Sequence, residues 1–179
     1  MSLLPLLALL LSVRIAISDL YARRVPNTWL AAAALAAVAW LLGTKLAGTP
    51  FPLLPNVAGA ALGLAALLPF YAIGWMGAGD VKYFAVLGLL LGMGALWPLW
   101  LLGSLLAAAH AVALLLGRRF GTTLPLRFQL LRDRAGRHWQ RHPLARGVHV
   151  ARQGRVGIPF AAYLAVATVS LVLWQGDGA

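Results

Sequence analysis

Four carboxylate side chains occur in the 179 residues, all of them aspartates: Asp19, Asp80, Asp133 and Asp177. There is no Glu and no Cys, and three of the four His (His138, His142 and His149) fall in one arginine-rich stretch. Thiolate nucleophiles, disulfides and Cys-ligated zinc are therefore excluded. The hydrolytic chemistry left open is that of two carboxyls sharing a proton. One acts as base and the other as acid while a water attacks a peptide bond. Asp133 lies among arginines and Asp177 in the C-terminal tail, where both read as solvated charges. Asp19 and Asp80 border long apolar stretches. An ionisable group is costly there, and a functional role is its default reading. The plainer alternative is that each only borders or caps a helix.

The elements that must position this pair are transmembrane. Hydrophobic residues make up 61% of the chain and charged residues 11%, with a mean hydropathy of +0.83. A soluble domain carries about 25% charged residues and could not hide so much apolar surface. Apolar runs over Leu3–Ser18, Trp29–Leu46, Val57–Trp75, Val81–Leu91, Trp97–Gly117 and Val156–Trp174 predict an all-α polytopic fold of six membrane helices in a single domain, 1–179. The fourth run is the shortest, with Trp97-Pro98 suiting the boundary after it. Fifteen Lys and Arg oppose the four aspartates, a net charge of +11. Ten of the fifteen fall within Arg118–Arg155. Loops with and without cations alternate along the chain, which puts both termini outside and the basic loop 118–155 in the cytoplasm. Span one then ends, and span four begins, at the cytoplasmic face. The N-terminus lacks a basic region and a small-residue cleavage site, so span one is expected to be retained rather than removed as a signal peptide.

The surroundings of the two aspartates add detail. Asp80 closes Gly77-Ala78-Gly79-Asp80, a G-x-G-D sequence followed by Val81-Lys82. Its glycines permit positive φ and close approach, and Asp80 suits the N-cap of the next helix. A phosphate loop is disfavoured, because no strand precedes the motif and the Lys-Ser/Thr ending is missing. Taken with Asp19-Leu20-Tyr21-Ala22-Arg23-Arg24-Val25-Pro26-Asn27, and with Gly157-Ile158-Pro159-Phe160 opening the last span, the chain resembles the type IV prepilin peptidase family in the order and spacing of three landmarks. That resemblance implies an aspartic endopeptidase of the G-x-G-D type. Asp19 and Asp80 would be its catalytic pair, with Gly77, Gly79, Lys82, Pro26 and Asn27 as supporting motif residues. It implies removal of the cytoplasmic leader from a prepilin-like membrane protein, by a cut after a Gly just before the substrate's hydrophobic helix. The expected location is the inner membrane, with the active site at its cytoplasmic face. Large members of the family carry a Cys-bearing cytoplasmic region and N-methylate the trimmed pilin. This chain is similar instead to the short forms serving tight-adherence (Flp-type) pili or to archaeal preflagellin peptidases, so no methyltransferase activity is expected. After Ile158-Pro159-Phe160 the family often has Gly-Pro, whereas this chain has Ala161-Ala162.

The remaining polar residues have quieter readings. Lys82 is two residues past Asp80, about 200° around a helix, so it points away from that carboxyl; it and Arg23 are candidate substrate contacts. Arg23 and Arg24 also serve as positive-inside anchors. Pro26-Asn27-Thr28 reads as a turn and N-cap for span two. Arg14 is expected to snorkel or to find an interhelical partner, and His110 to pack. No metal and no other cofactor is expected. Within the basic loop, Arg127–His142 has the spacing of a basic amphipathic helix, suited to anionic lipid at the inner leaflet or to docking pilus assembly proteins. Nucleic acid is not expected, because no aromatic stacking platform accompanies the arginines. Two rival readings are a membrane transporter or channel with aspartate ion ligands, and a catalytically inactive pilus-assembly scaffold.

Overall fold

The computed structural model describes residues 3–48, 53–121, 143–153 and 158–177, together with 127, 130 and 134. Its elements are α1 (Leu3–Ala22), α2 (Asn27–Leu46), α3 (Leu53–Ala72), α4 (Ala78–Leu91), α5 (Met93–Gly121), α6 (Pro143–Arg152) and α7 (Phe160–Asp177). No strand occurs among the described residues. Among the described residues, four helices are long and apolar enough to cross a membrane: α1, α2, α3 and the Met93–Gly117 part of α5. Large apolar side chains on their outer faces are exposed, among them Leu10, Leu35, Leu54 and Leu105, as a lipid-facing surface requires. Trp75, Trp97 and Trp174 are exposed near helix ends, the depth at which interfacial indoles settle.

At the centre of the bundle is α4, packed by α1, α2, α3, α5 and α7. Seven of its 14 residues are buried, Val81, Tyr83, Phe84, Leu87, Gly88, Leu89 and Leu90, so it is covered all round rather than along one stripe. At a rise of about 1.5 Å per residue it is about 21 Å long, well short of a hydrocarbon core of about 30 Å. The fourth run, expected to be the shortest, is thus a helix shorter than the membrane is thick. Gly92, at φ 80°, ends it, and α5 begins at the next residue. The expected boundary at Trp97-Pro98 is not there: Pro98 lies inside α5. Likewise α3 starts at Leu53, inside the stretch read as a loop, and ends at Ala72 before a turn at Gly74.

Small residues let α3 and α4 approach closely. Gly59 and Gly63 of α3 face α4, where a Cβ on Gly63 would lie 3.1 Å from the Phe84 carbonyl oxygen. Asn56 Nδ2 donates to the Leu89 carbonyl at 2.8 Å, joining the same two helices. A second polar link joins α1, α4 and α7. The buried Tyr83 hydroxyl donates to Ser12 Oγ at 2.7 Å, and Ser12 Oγ donates to the Ala8 carbonyl at 2.6 Å. Tyr83 is also hydrogen-bonded with Thr168 of α7. Such intramembrane bonds average about 0.6 kcal/mol, so their main consequence is rotational register. They set the relative rotation of the three helices from which the candidate site is built. Arg14 is accounted for by Trp29, whose ring lies under its guanidinium at 5.2 Å, a cation–π contact. The amphipathic helix expected over Arg127–His142 lies outside the described residues except for 127, 130 and 134.

Candidate active site

Asp19 and Asp80, far apart in sequence, meet at the start of α7. Asp19 sits in the last turn of α1 and is buried, with 6% of its surface exposed. Asp80 is in the first turn of α4. The sequence places α7 directly after Pro159, and the leading N–H groups of a helix have no intrahelical acceptor. Two of them meet the aspartates. The Ala162 N–H donates to Asp19 Oδ2 at 3.0 Å, and the Ala161 N–H makes a backbone hydrogen bond to the Asp80 carboxyl. Consecutive amides at the positive end of one helix dipole thus hold both carboxyls. The two are close enough for the charge of Asp19 to act on Asp80.

The G-x-G-D segment works differently from its sequence reading. Gly77, not Asp80, is the N-cap of α4, with φ −75° and ψ 144°. Asp80 stands three residues in and reaches back to the Gly77 N–H, as the acidic member of a capping box does. Neither glycine has the positive φ expected for the motif; what each provides is space. A Cβ on Gly77 would lie 3.3 Å from Asp80 Oδ2, and one on Gly79 would lie 2.8 Å from the Val25 Cβ. Gly79 therefore lets the start of α4 pack on the α1–α2 connection, which follows Asp19.

That connection is fastened at several points. Ser18 Oγ donates to the Arg24 carbonyl at 2.9 Å, and Arg24 Nη2 donates to Gln153 Oε1 at 2.7 Å. Pro26 is the N-cap of α2, with no side-chain capping bond. The cap thus falls within the Pro26-Asn27-Thr28 segment, and Asn27 Oδ1 accepts from Lys82 Nζ at 3.4 Å. Through this bond Lys82 links α4 to the start of α2. Arg23 stays beside Asp19. Its own N–H donates to the Asp19 carbonyl at 3.0 Å, its φ is 53°, and its guanidinium acts on the Asp19 carboxyl. Burial, and the charge of Arg152, pull the Arg23 guanidinium below its ordinary pKa, while Asp19 opposes the shift. His110 stacks obliquely on Tyr163 at 5.8 Å. No cluster of His, Cys, Asp or Glu suited to a metal occurs among the described residues. Asp133 lies outside them.

The structure thus groups Asp19, Asp80, Gly77, Gly79 and Arg23, and places Lys82, Pro26 and Asn27 in the support around them. Sequence reasoning missed Ala161, Ala162 and Arg152. The alanines could be found only by asking which free amides follow Pro159, because their side chains carry no signal. Their contribution is testable. Proline is tolerated in a first helical turn, so Ala162→Pro deletes the donor to Asp19 and leaves the helix in place. A hydrogen bond to a charged group contributes about 1.5–3 kcal/mol, so any activity that depends on the ionised Asp19 is expected to fall about 10- to 100-fold. Ala162→Gly, which keeps the N–H, is the control; equal rates for the two variants would show that the amide does not matter.

The model of the type IV leader peptidase family matches residues 6–112, a stretch holding Asp19, the connection after it, the G-x-G-D segment and most of α5. No curated protein and no solved structure matches the chain.

Proposed function

The chain belongs to the type IV leader peptidase family, and from that premise we propose that Asp19 and Asp80 are its catalytic pair. The protein is an integral membrane hydrolase, a leader peptidase acting on prepilin-like proteins. The observation that carries the assignment to these two residues is their shared attachment to α7, through Ala161 and Ala162. The attacking water would be held between the two carboxyls. One aspartate takes a proton as the water oxygen bonds to the scissile carbonyl carbon. The other, initially protonated, supplies a proton to the peptide nitrogen as the C–N bond breaks. The products are a leader with a new carboxylate and a pilin with a new amine.

The proposed setting is the inner membrane, with the dyad at the cytoplasmic face and both termini outside. In it α4 is the short central helix of six, shielded from lipid by its neighbours. The basic loop 118–155 lies on anionic lipid and offers a docking surface to pilus assembly proteins. Within it, α6 is amphipathic and packs against α1. Only Arg23–Pro26 separates α1 from α2, which leaves no room there for a methyltransferase region. A co-expressed Flp-like prepilin is therefore expected to mature by a single cut after a Gly at its leader boundary, with an unmethylated N-terminal amine. Intact-mass spectrometry of the processed pilin tests both points. A pilin that keeps its leader, or one cut within its hydrophobic helix, would refute the peptidase reading, and an added 14 Da would refute the absence of methyl transfer.

A further inference from the structure

Beyond the C-terminal end of α1, Arg23 and Arg152 lie close enough that the charge of Arg152 acts on Arg23 and both act on Asp19. Arg152, at the end of α6, is anchored by donation from Nη2 to the Leu20 carbonyl at 2.8 Å. Arg23 is held at φ 53°, a left-handed conformation that side-chain-bearing residues seldom adopt. The arrangement is costly in itself. Two like charges are adjacent, and Arg23 Nε, Arg23 Nη1 and Arg152 Nε are buried without an acceptor among the described residues. Buried donors without acceptors are what native structures avoid. Neither Asp19 nor Asp80 accepts from these three nitrogens. An added carboxylate matches the planar, multidentate donor set of two guanidiniums.

The source of that carboxylate follows from where the pair lies. Arg23 is four residues past Asp19, and its charge, like that of Arg152, acts on that buried carboxyl. The Arg23 N–H donates to the Asp19 carbonyl and Arg152 Nη2 to the Leu20 carbonyl. The pair therefore lies beside the dyad, at the end of α1. With the scissile bond at Asp19 and Asp80 and the substrate helix in the membrane, the leader must leave past the end of α1. We propose that Arg23 and Arg152 form a subsite for an Asp or Glu side chain of the leader, within a few residues on the N-terminal side of the scissile bond. The proposal rests on the leader-peptidase reading and names the substrate feature that the site selects.

The test is a binding measurement, independent of turnover. Full-length Asp80→Asn protein, a non-cleaving background, is placed in nanodiscs of phosphatidylcholine. Two labelled prepilin peptides are titrated against it by fluorescence anisotropy. One carries Asp and Glu just before the scissile Gly; in the other these are Asn and Gln. The acidic peptide is expected to bind about tenfold tighter or more. That ratio should fall to near one in Arg152→Gln and in Arg23→Gln, and Arg152→Glu should favour a leader carrying Lys. Equal binding of the two peptides to the parent overturns the proposal, as does a ratio that survives both Gln substitutions. Loss of the ratio when phosphatidylglycerol is added to the discs also overturns it, by assigning the site to a lipid phosphate. Cleavage of both peptides by the wild-type chain is scored separately. A binding preference without any cleavage would refute the peptidase reading and leave the acid subsite standing.

Discussion

Asp19→Ala and Asp80→Ala are each expected to abolish processing of a co-expressed prepilin, with a loss of at least about 10³-fold. Asp133→Ala, in the basic loop, is expected to process normally. The losses should be similar in size because the two carboxyls act as a unit. Without either one, a single carboxyl must serve as both base and acid, and the water loses one of its two anchors. Both proteins should still fold. Asp19 and Asp80 lie at helix ends against main-chain amides, whereas the packing that holds the bundle together lies deeper, around Leu87, Leu90, Leu99 and Leu164. Immunoblotting for the shift from prepilin to pilin, with membrane levels of the variants as the control, measures the effect.

The second large effect is structural. Gly88→Ala is expected to destabilise the protein by about 3 kcal/mol, the upper end of what overpacking costs. Its Cβ would collide with the backbone of α3 at Gly59, and would lie 3.1 Å from the Ala60 nitrogen. Neither contact is the end of a flexible side chain, so relief requires α3 and α4 to move apart. Asp80 moves with α4, so processing should decline as well. The control is Gly43→Ala in α2, where an added Cβ meets nothing within 4 Å. Ala is a better helix former than Gly by about 0.5–1 kcal/mol, so that variant should be neutral or slightly more stable. Thermal unfolding in detergent separates the two. A Gly88→Ala protein as stable as Gly43→Ala would mean that α3 and α4 are not in backbone contact.

The candidate pair was legible in the sequence because the chain carries so few acids. The alternation of charged and uncharged loops led to the expectation that Asp19 and Asp80 share a face, and the fold brings the two residues together. Element type was legible as well, from long apolar runs. Less accessible was anything set by main-chain geometry. Asp80 looks like an N-cap by residue type, yet the extended ψ of 144° falls on Gly77 and moves the cap three residues back. The break before α5 was read at Pro98, the usual helix breaker, but the positive φ at Gly92 makes it. The close pairing of α3 with α4 had a visible signal in the Gly59–Gly63 spacing of small residues. Ala161 and Ala162 had none, because what they contribute is an N–H that every residue except proline carries. Arg152 was submerged among the other cations of the basic loop. Only the folding of α6 against α1 distinguishes it.

The central claim is that Asp19 and Asp80 work as one catalytic unit. The most direct test is the cleavage rate of a purified prepilin by purified protein in proteoliposomes, compared among wild type, Asp19→Asn, Asp80→Asn and the double variant. Asparagine keeps the shape of each side chain and removes its proton chemistry. The account predicts that each single variant loses at least about 10³-fold and that the double variant is no slower than either. A single variant that cleaves at the wild-type rate, or a double variant whose loss is the product of the two single losses, would contradict it.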